Sequence, residues 1–128
     1  MTTAPGDNGG FGDPNSDPNK DRRSSARLPV EMWVEEITPG GLVFRRAGNL
    51  SVGGIYLDQT IPLAVGSVIK LKFTLPGDLE AIVVSGEIVS IMTDQVLGMG
   101  VKFTEVNPTD RSRITGFLKR SYTPVMGV

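Results

Sequence analysis

The chain has 128 residues and a formal net charge of −1, and its 39% hydrophobic content suffices for one domain around a modest core. It contains neither cysteine nor histidine, which excludes disulfides, thiolate chemistry and histidine as a general base or metal ligand. The near-balanced charge disfavours a protein that coats nucleic acid, and no run approaches the roughly 18 apolar residues of a membrane span. The carboxylates show no catalytic pairing, so we predict a non-enzymatic binding domain without a metal site or a cofactor.

Residues 1–21 are rich in Gly, Pro, Asn and Asp and have no hydrophobic periodicity. Such a segment buries too little apolar surface to offset its conformational entropy, so we predict a disordered, acidic tail. The segment has neither the basic start nor the apolar stretch of a secretion signal, which favours a cytoplasmic protein. The folded domain is expected over residues 22–120, followed by a short C-terminal tail over residues 121–128.

Hydrophobic alternation from Leu28 onward predicts a first strand with one buried face. Trp33 falls on the polar-facing side of this strand, where we expect it to pack against a lid or a neighbouring strand rather than a partner protein. The turn TPGG (38–41) leads into a second strand, LVFRRA. A short third strand, IYLD, follows the loop at residues 49–54.

Three further strands complete the β pattern. Residues 67–75 alternate most clearly, and the next strand, LEAIVVSGEIVSIM, contains Gly86, which predicts a bulge or bend. The sixth strand places Gly98 and Gly100 on its outer face. The residues predicted to point inward from the fourth and sixth strands are Ile69, Leu71, Phe73, Leu75, Leu97, Met99, Val101 and Phe103.

One helix is predicted at the end of the chain. Asn107 has the residue type of an N-cap, and Pro108 suits the first helical position. Ile114, Phe117 and Leu118 recur at helical spacing and form an apolar stripe that would cover one end of a sheet structure. About six antiparallel strands at regular spacing, followed by one helix, predict an all-β fold: a small, closed six-stranded barrel with a C-terminal helical lid.

Three arginines, Arg22, Arg23 and Arg27, lie just before the first strand. Most such clusters are solvated charge, but the guanidinium group also matches a phosphate, or the O6/N7 edge of guanine, in bidentate fashion. Ordering this segment would cost roughly 1–2 kcal/mol per residue, whereas each charge-assisted hydrogen bond returns about 1.5–3 kcal/mol. Tight binding of an anion therefore needs a preformed second surface as well.

The sequence NLSVGG (49–54) is a candidate for that second surface. Asn, Ser and Gly are also the ordinary residues of a turn between strands, so the loop alone carries little information. As a binding loop, Asn49 and Ser51 would offer short donors and acceptors to base edges. Gly54 would let a ring approach the backbone without a Cβ in the way.

The two motifs together resemble those of a known family. RSSAR (23–27) and NLSVGG (49–54) are similar to the RxxxR and (D/N)xSxxG motif pair of PilZ domains, the bacterial receptors for cyclic di-GMP. The resemblance covers about residues 22–120. It includes PLAVGSVIKLKFTLPG (62–77) and LGMGVKFTEVNPTDRSRITGFL (97–118), which are like the middle segment, last strand and helix of that family.

The resemblance implies roles for the site residues. Arg23 and Arg27 would clasp guanine and phosphate groups from a flexible segment, with Arg22 as a third clasp. The loop would line the other side of the ligand through Asn49, Ser51 and Gly54. Asn49 replaces the commoner Asp and so removes one negative charge near the phosphates.

The resulting hypothesis is a cyclic di-GMP receptor that acts as an adaptor. Ligand binding would order the arginine segment and thereby create or hide a surface for an unidentified partner protein, in motility, pilus or exopolysaccharide regulation. One alternative is a PilZ-like interaction module that does not bind the ligand. Another is a barrel for single-stranded nucleic acid, which needs an aromatic platform and a basic groove. One Trp, two Tyr and five Phe barely supply that platform.

Overall fold

The computed structural model describes the backbone of residues 26–126 and the side chains of residues 26–121. The tail predicted over residues 1–21 lies outside the described residues, as do Arg22 and Arg23. Six strands and one helix follow in chain order: β1 (Leu28–Thr38), β2 (Gly41–Leu50), β3 (Gly54–Asp58), β4 (Val68–Phe73), β5 (Ile82–Met92), β6 (Gly98–Glu105) and α1 (Pro108–Met126).

The strands form a closed barrel in the order β1–β2–β3–β6–β5–β4, and every neighbouring pair is antiparallel. The predicted all-β fold, a six-stranded antiparallel barrel with a C-terminal helix, is therefore confirmed. Closure is uneven, because β1 pairs with β2 from Leu28 to Thr38 but with β4 only at residues 35–37. The first half of β1 consequently borders a seam on its β4 side.

The barrel is filled by the inward-facing residues of each strand. The alternation predicted for residues 67–75 is confirmed, with Lys70 and Lys72 exposed between buried neighbours. The register of β5 against β6 shifts beside Gly86, which confirms the predicted bulge. Leu97 was expected to point inward, but it precedes β6 and is 39% exposed, so that prediction is wrong.

The helix begins as the sequence predicts. The Asn107 side chain accepts a hydrogen bond from the backbone N–H of Thr109 at 2.8 Å, which is the N-cap contact. Ile114 and Leu118 are buried in the core, and Phe117 packs partly against it. The helix extends to Met126, so the first six residues of the tail predicted over 121–128 are helical. Within the described residues, no helix has both the length and the apolar character of a membrane span.

Arg113 ties α1 to the connection between β4 and β5. Its guanidinium contacts the Asp78 carboxylate at 2.7 Å, the Asp110 carboxylate at 2.9 Å and the carbonyl oxygen of Glu80 at 2.5 Å. The hydrogen bond from Arg113 is the largest of the causes that lower the pKa of Asp78 below its usual value of 3.8. Arg113 thus links the helix to this connection, beside the core packing of Ile114 and Leu118.

Replacing Arg113 with methionine should lower the free energy of unfolding at neutral pH, because two carboxylates and one carbonyl lose their donor. The folded-state pKa of Asp78 is depressed, so its contribution is present above pH 3.8 and is lost as the pH falls through the folded pKa. Urea unfolding should therefore show a larger deficit at neutral pH than at about pH 2.5. Arg111→Met, at an exposed position of the same helix, is the matched control. An equal deficit at both pH values would contradict this account.

Candidate functional site

An open cleft of about 460 Å³ lies on the outer surface of the barrel. Residues of both sequence motifs line it: Arg27 from the arginine motif, and Asn49, Ser51 and Gly54 from the loop. The fold therefore brings together the four predicted site residues that lie within the described part of the chain. Whether Arg22 and Arg23 reach the same cleft stays a prediction.

The strand registers arrange four residues in one row across the outer surface. Asn49 on β2 pairs with Tyr56 on β3, Tyr56 pairs with Gly100 on β6, and Gly100 pairs with Ser90 on β5. All four residues line the cleft. The floor of the cleft thus consists of a polar amide, an aromatic ring, a bare backbone and a hydroxyl, with Ile55 and Leu57 buried beneath it.

Tyr56 packs over the part of β6 that has no side chains. A Cβ at Gly98 would lie 2.8 Å from Cζ of Tyr56, and a Cβ at Gly100 would lie 2.5 Å from Oγ of Ser90. The sequence predicts both glycines on the outer face, but its patterns do not single out Tyr56 or Ser90. The two glycines, spaced two residues apart, indicate that a side chain from an adjacent strand packs over β6. Which side chain it is can be told only when the register of the adjacent strands is known.

Arg27 meets Asn49 directly. Nη1 of Arg27 donates a hydrogen bond to Oδ1 of Asn49 at 2.9 Å. The contact follows from the register, because Leu28 pairs with Leu50 and so places the residue before β1 beside the end of β2. With Asn rather than Asp at position 49, this contact is a hydrogen bond to a neutral amide rather than to a carboxylate.

Ser51 and Gly54 shape the loop. Ser51 is 2% exposed, its backbone N–H donates to the carbonyl oxygen of Gly54 at 2.9 Å, and its hydroxyl accepts from the N–H of Gly54 at 3.1 Å. A Cβ at Gly54 would overlap the carbonyl oxygen of Val101 on β6. The Ser51 hydroxyl therefore closes the turn, and Gly54 permits the close approach of β3 and β6. Both residues also line the cleft, and their predicted contacts to a ligand base stay a prediction.

Lys102 adds a second positive charge to the cleft. It is exposed on β6, opposite Gly54 in the register, and it was not singled out from the sequence. No acidic side chain is among the described residues that line the cleft. Two cationic side chains without a lining carboxylate make a surface that favours an anionic ligand.

Residues 21–120 match the family model of the PilZ domain, and the chain therefore belongs to the PilZ family. PilZ domains are receptors for cyclic di-GMP. No curated protein matches the chain in sequence.

Three solved structures have a similar fold. The Bacillus subtilis inhibitor of motility, MotI/DgrA, is 19% identical with a TM-score of 0.68, over 80% of this chain and 52% of that chain. The PilZ domain of Escherichia coli YcgR with c-di-GMP is 16% identical with a TM-score of 0.60, over 84% of this chain and 99% of that one. The PilZ domain of CeSA from a cellulose-synthesising bacterium is 21% identical with a TM-score of 0.53, over 71% and 92%. The chain thus spans about half of the Bacillus protein (52%), and at these identities the likeness is one of fold.

Gly54→Ala should destabilise the protein by about 1–3 kcal/mol, because the added methyl group would force β3 away from the Val101 carbonyl. Gly40→Ala is the matched control, since the nearest atom to its added Cβ would be 4.0 Å away. Thermal unfolding followed by circular dichroism measures both variants. Equal melting temperatures for the two variants would show that Gly54 is not required for the contact between β3 and β6.

Proposed function

We propose that this protein is a cyclic di-GMP receptor and that the cleft between Arg27, Asn49 and Lys102 is its binding site. The observation that carries the proposal is the 2.9 Å hydrogen bond between Arg27 and Asn49, which unites the two PilZ motifs on one surface. The charge of the cleft agrees with the proposal, because cyclic di-GMP carries two phosphates and is a dianion. The floor offers the ligand's guanines the ring of Tyr56 to pack against and the polar groups of Asn49 and Ser90.

Each described residue has a distinct task in this proposal. Arg27 offers its planar donor fork to a guanine edge or to a phosphate. Asn49 holds that fork in place before binding, and its amide can turn to a base edge when the ligand arrives. The absence of a side chain at Gly100 leaves room for the side chains of Tyr56 and Ser90, which form the floor that a flat base would meet. Ser51 acts by holding the shape of the loop, because its hydroxyl is already hydrogen-bonded within the turn.

Arg22 and Arg23 complete the clasp in this proposal. Arg23 precedes Arg27 by four residues, a stretch that spans at most about 14 Å. A guanidinium from this segment therefore remains close enough to reach a ligand bound beside Asn49. Ordering the arginine segment costs conformational entropy, whereas the loop is already formed and binding to it carries no such cost. We therefore expect the ligand to contact the loop first and the arginines to close over it afterwards.

The proposed role is that of a non-enzymatic adaptor in the cytoplasm. Ordering of the arginine segment changes the surface at the entrance to β1, and a partner protein that prefers one of the two forms reads the change. The partner must bind the two forms with different affinity for this to act as a switch. Motility is a natural setting for such a partner, since the structure of similar fold from Bacillus subtilis is named an inhibitor of motility.

Isothermal titration with cyclic di-GMP tests the proposal. Arg27→Ala should weaken binding at least about tenfold, because it removes charge-assisted hydrogen bonds of about 1.5–3 kcal/mol. Arg111→Ala removes an exposed arginine from the helix and should leave the affinity unchanged. Absence of heat with the folded wild-type protein at high micromolar ligand would contradict the receptor function. That result would favour the alternative of an interaction module that does not bind the ligand.

Lys102→Ala should weaken binding only about two- to fivefold, because an exposed lysine acts mainly through screened charge. The dependence of the affinity on salt concentration should become shallower at the same time. Lys70→Ala, which removes an exposed lysine from β4, is the matched control and should change neither quantity. If Lys102→Ala leaves the salt dependence as it is in the wild type, Lys102 does not face the phosphates.

A further inference from the structure

A second cavity, of about 200 Å³, lies at the seam where β1 separates from β4. Trp33 on β1 and Phe44 on β2 line it together with Thr74, and the two aromatic residues are 67% and 62% exposed. The expectation that Trp33 packs against a lid or a neighbouring strand is therefore corrected. β4 pairs with β1 only at residues 35–37, so beside Trp33 no strand fills the β4 side. We call this region the seam groove.

Two residues of opposite charge, Glu35 and Lys72, line the seam groove at the end where β1 and β4 are still paired. Glu35 on β1 pairs in register with Phe44 on one side and with Lys72 on the other, and Lys72 pairs in turn with Val83. The row across four strands therefore consists of an apolar, an acidic, a basic and an apolar residue. Glu35 and Lys72 form no salt bridge with each other.

The charges of this row are complementary to those of the same row in a second copy of the chain. A two-fold axis along the seam, between β1 and β4, would bring β1 of one copy over β4 of a second copy. Glu35 of each copy would then face Lys72 of the other, which gives two identical ion pairs across one interface. Trp33 would be covered near the centre, where exposed aromatic residues most often anchor protein contacts.

We propose that the seam groove is the contact through which two copies of this chain form a symmetric dimer. The matching charges favour a second copy over other occupants, because the same surface supplies both halves of each ion pair. The proposal is independent of ligand binding, since the cleft is built mainly on β2, β3, β5 and β6 and includes neither Glu35 nor Lys72.

Sedimentation equilibrium of the full chain tests the dimer. The wild-type protein should associate reversibly, and Glu35→Lys and Lys72→Glu should each raise the dissociation constant of the dimer at least about tenfold, because like charges then face each other twice. Asp94→Lys, a charge reversal in the exposed loop between β5 and β6, is the matched control and should not change it. A wild-type protein that stays monomeric at high micromolar concentration overturns the proposal.

An equimolar mixture of the two charge-reversal variants tests the symmetry itself. A heterodimer of Glu35→Lys with Lys72→Glu has an attractive pair at both contacts, whereas each variant alone has repulsion at both. The mixture should therefore associate as tightly as the wild-type protein. The fluorescence emission of Trp33, the one tryptophan of the chain, should change on mixing because association covers its side chain. Circular dichroism establishes that both variants are folded. A mixture that associates no better than either variant alone overturns the proposal, whatever the wild type does.

Discussion

The candidate site depends on the register between β1 and β2. Leu28 lies opposite Leu50, whose side chain is fully buried in the barrel. The register shifts between Pro29 and Met32, so the pairing at the entrance to β1 is local, and the buried Leu50 is also held by its pairing with Ile55 on β3. Two motifs that lie 22 residues apart in sequence consequently meet at the side chains of Arg27 and Asn49. The hydrophobic core thus determines where the charged residues of the surface stand, and the surface residues need contribute little to stability themselves.

The sequence predicts the elements of this fold well, because they depend on local patterns. The alternation over residues 67–75 and the N-cap at Asn107 are examples, since each is set by neighbours in sequence. The cleft is predicted only in part, because the residues that line it beside the motifs come from four strands. Which of them are neighbours depends on the register of those strands. Tyr56 is one such residue: its position over β6 depends on shifts in strand pairing that hydrophobic patterns do not specify. The hydrogen bond of Ser51 within its own turn is not specified by the sequence, because a serine in a turn suits an internal hydrogen bond and a ligand contact equally well.

Strand β1 connects the two surfaces for which we propose functions. Its entrance carries Arg27, and its middle carries Trp33 and Glu35 at the seam groove. If ligand binding at the entrance alters the affinity between two copies, association must alter the ligand affinity by the same factor. β1 borders both surfaces and also pairs with β4 at residues 35–37, so it offers a short physical connection between them. Ligand binding would then change both the affinity for a partner protein and the affinity between two copies of this chain.

The central claim is that cyclic di-GMP binds between the entrance to β1 and the loop before β3. Titration of the isotopically labelled protein with cyclic di-GMP, followed by nitrogen–proton correlation NMR, tests it residue by residue. The account predicts that the largest shifts fall on Arg27, on the backbone of residues 49–54 and on Lys102, with little change along α1. Saturating ligand that shifts the resonances of the helix or the seam groove, and leaves those of the loop in place, would contradict it.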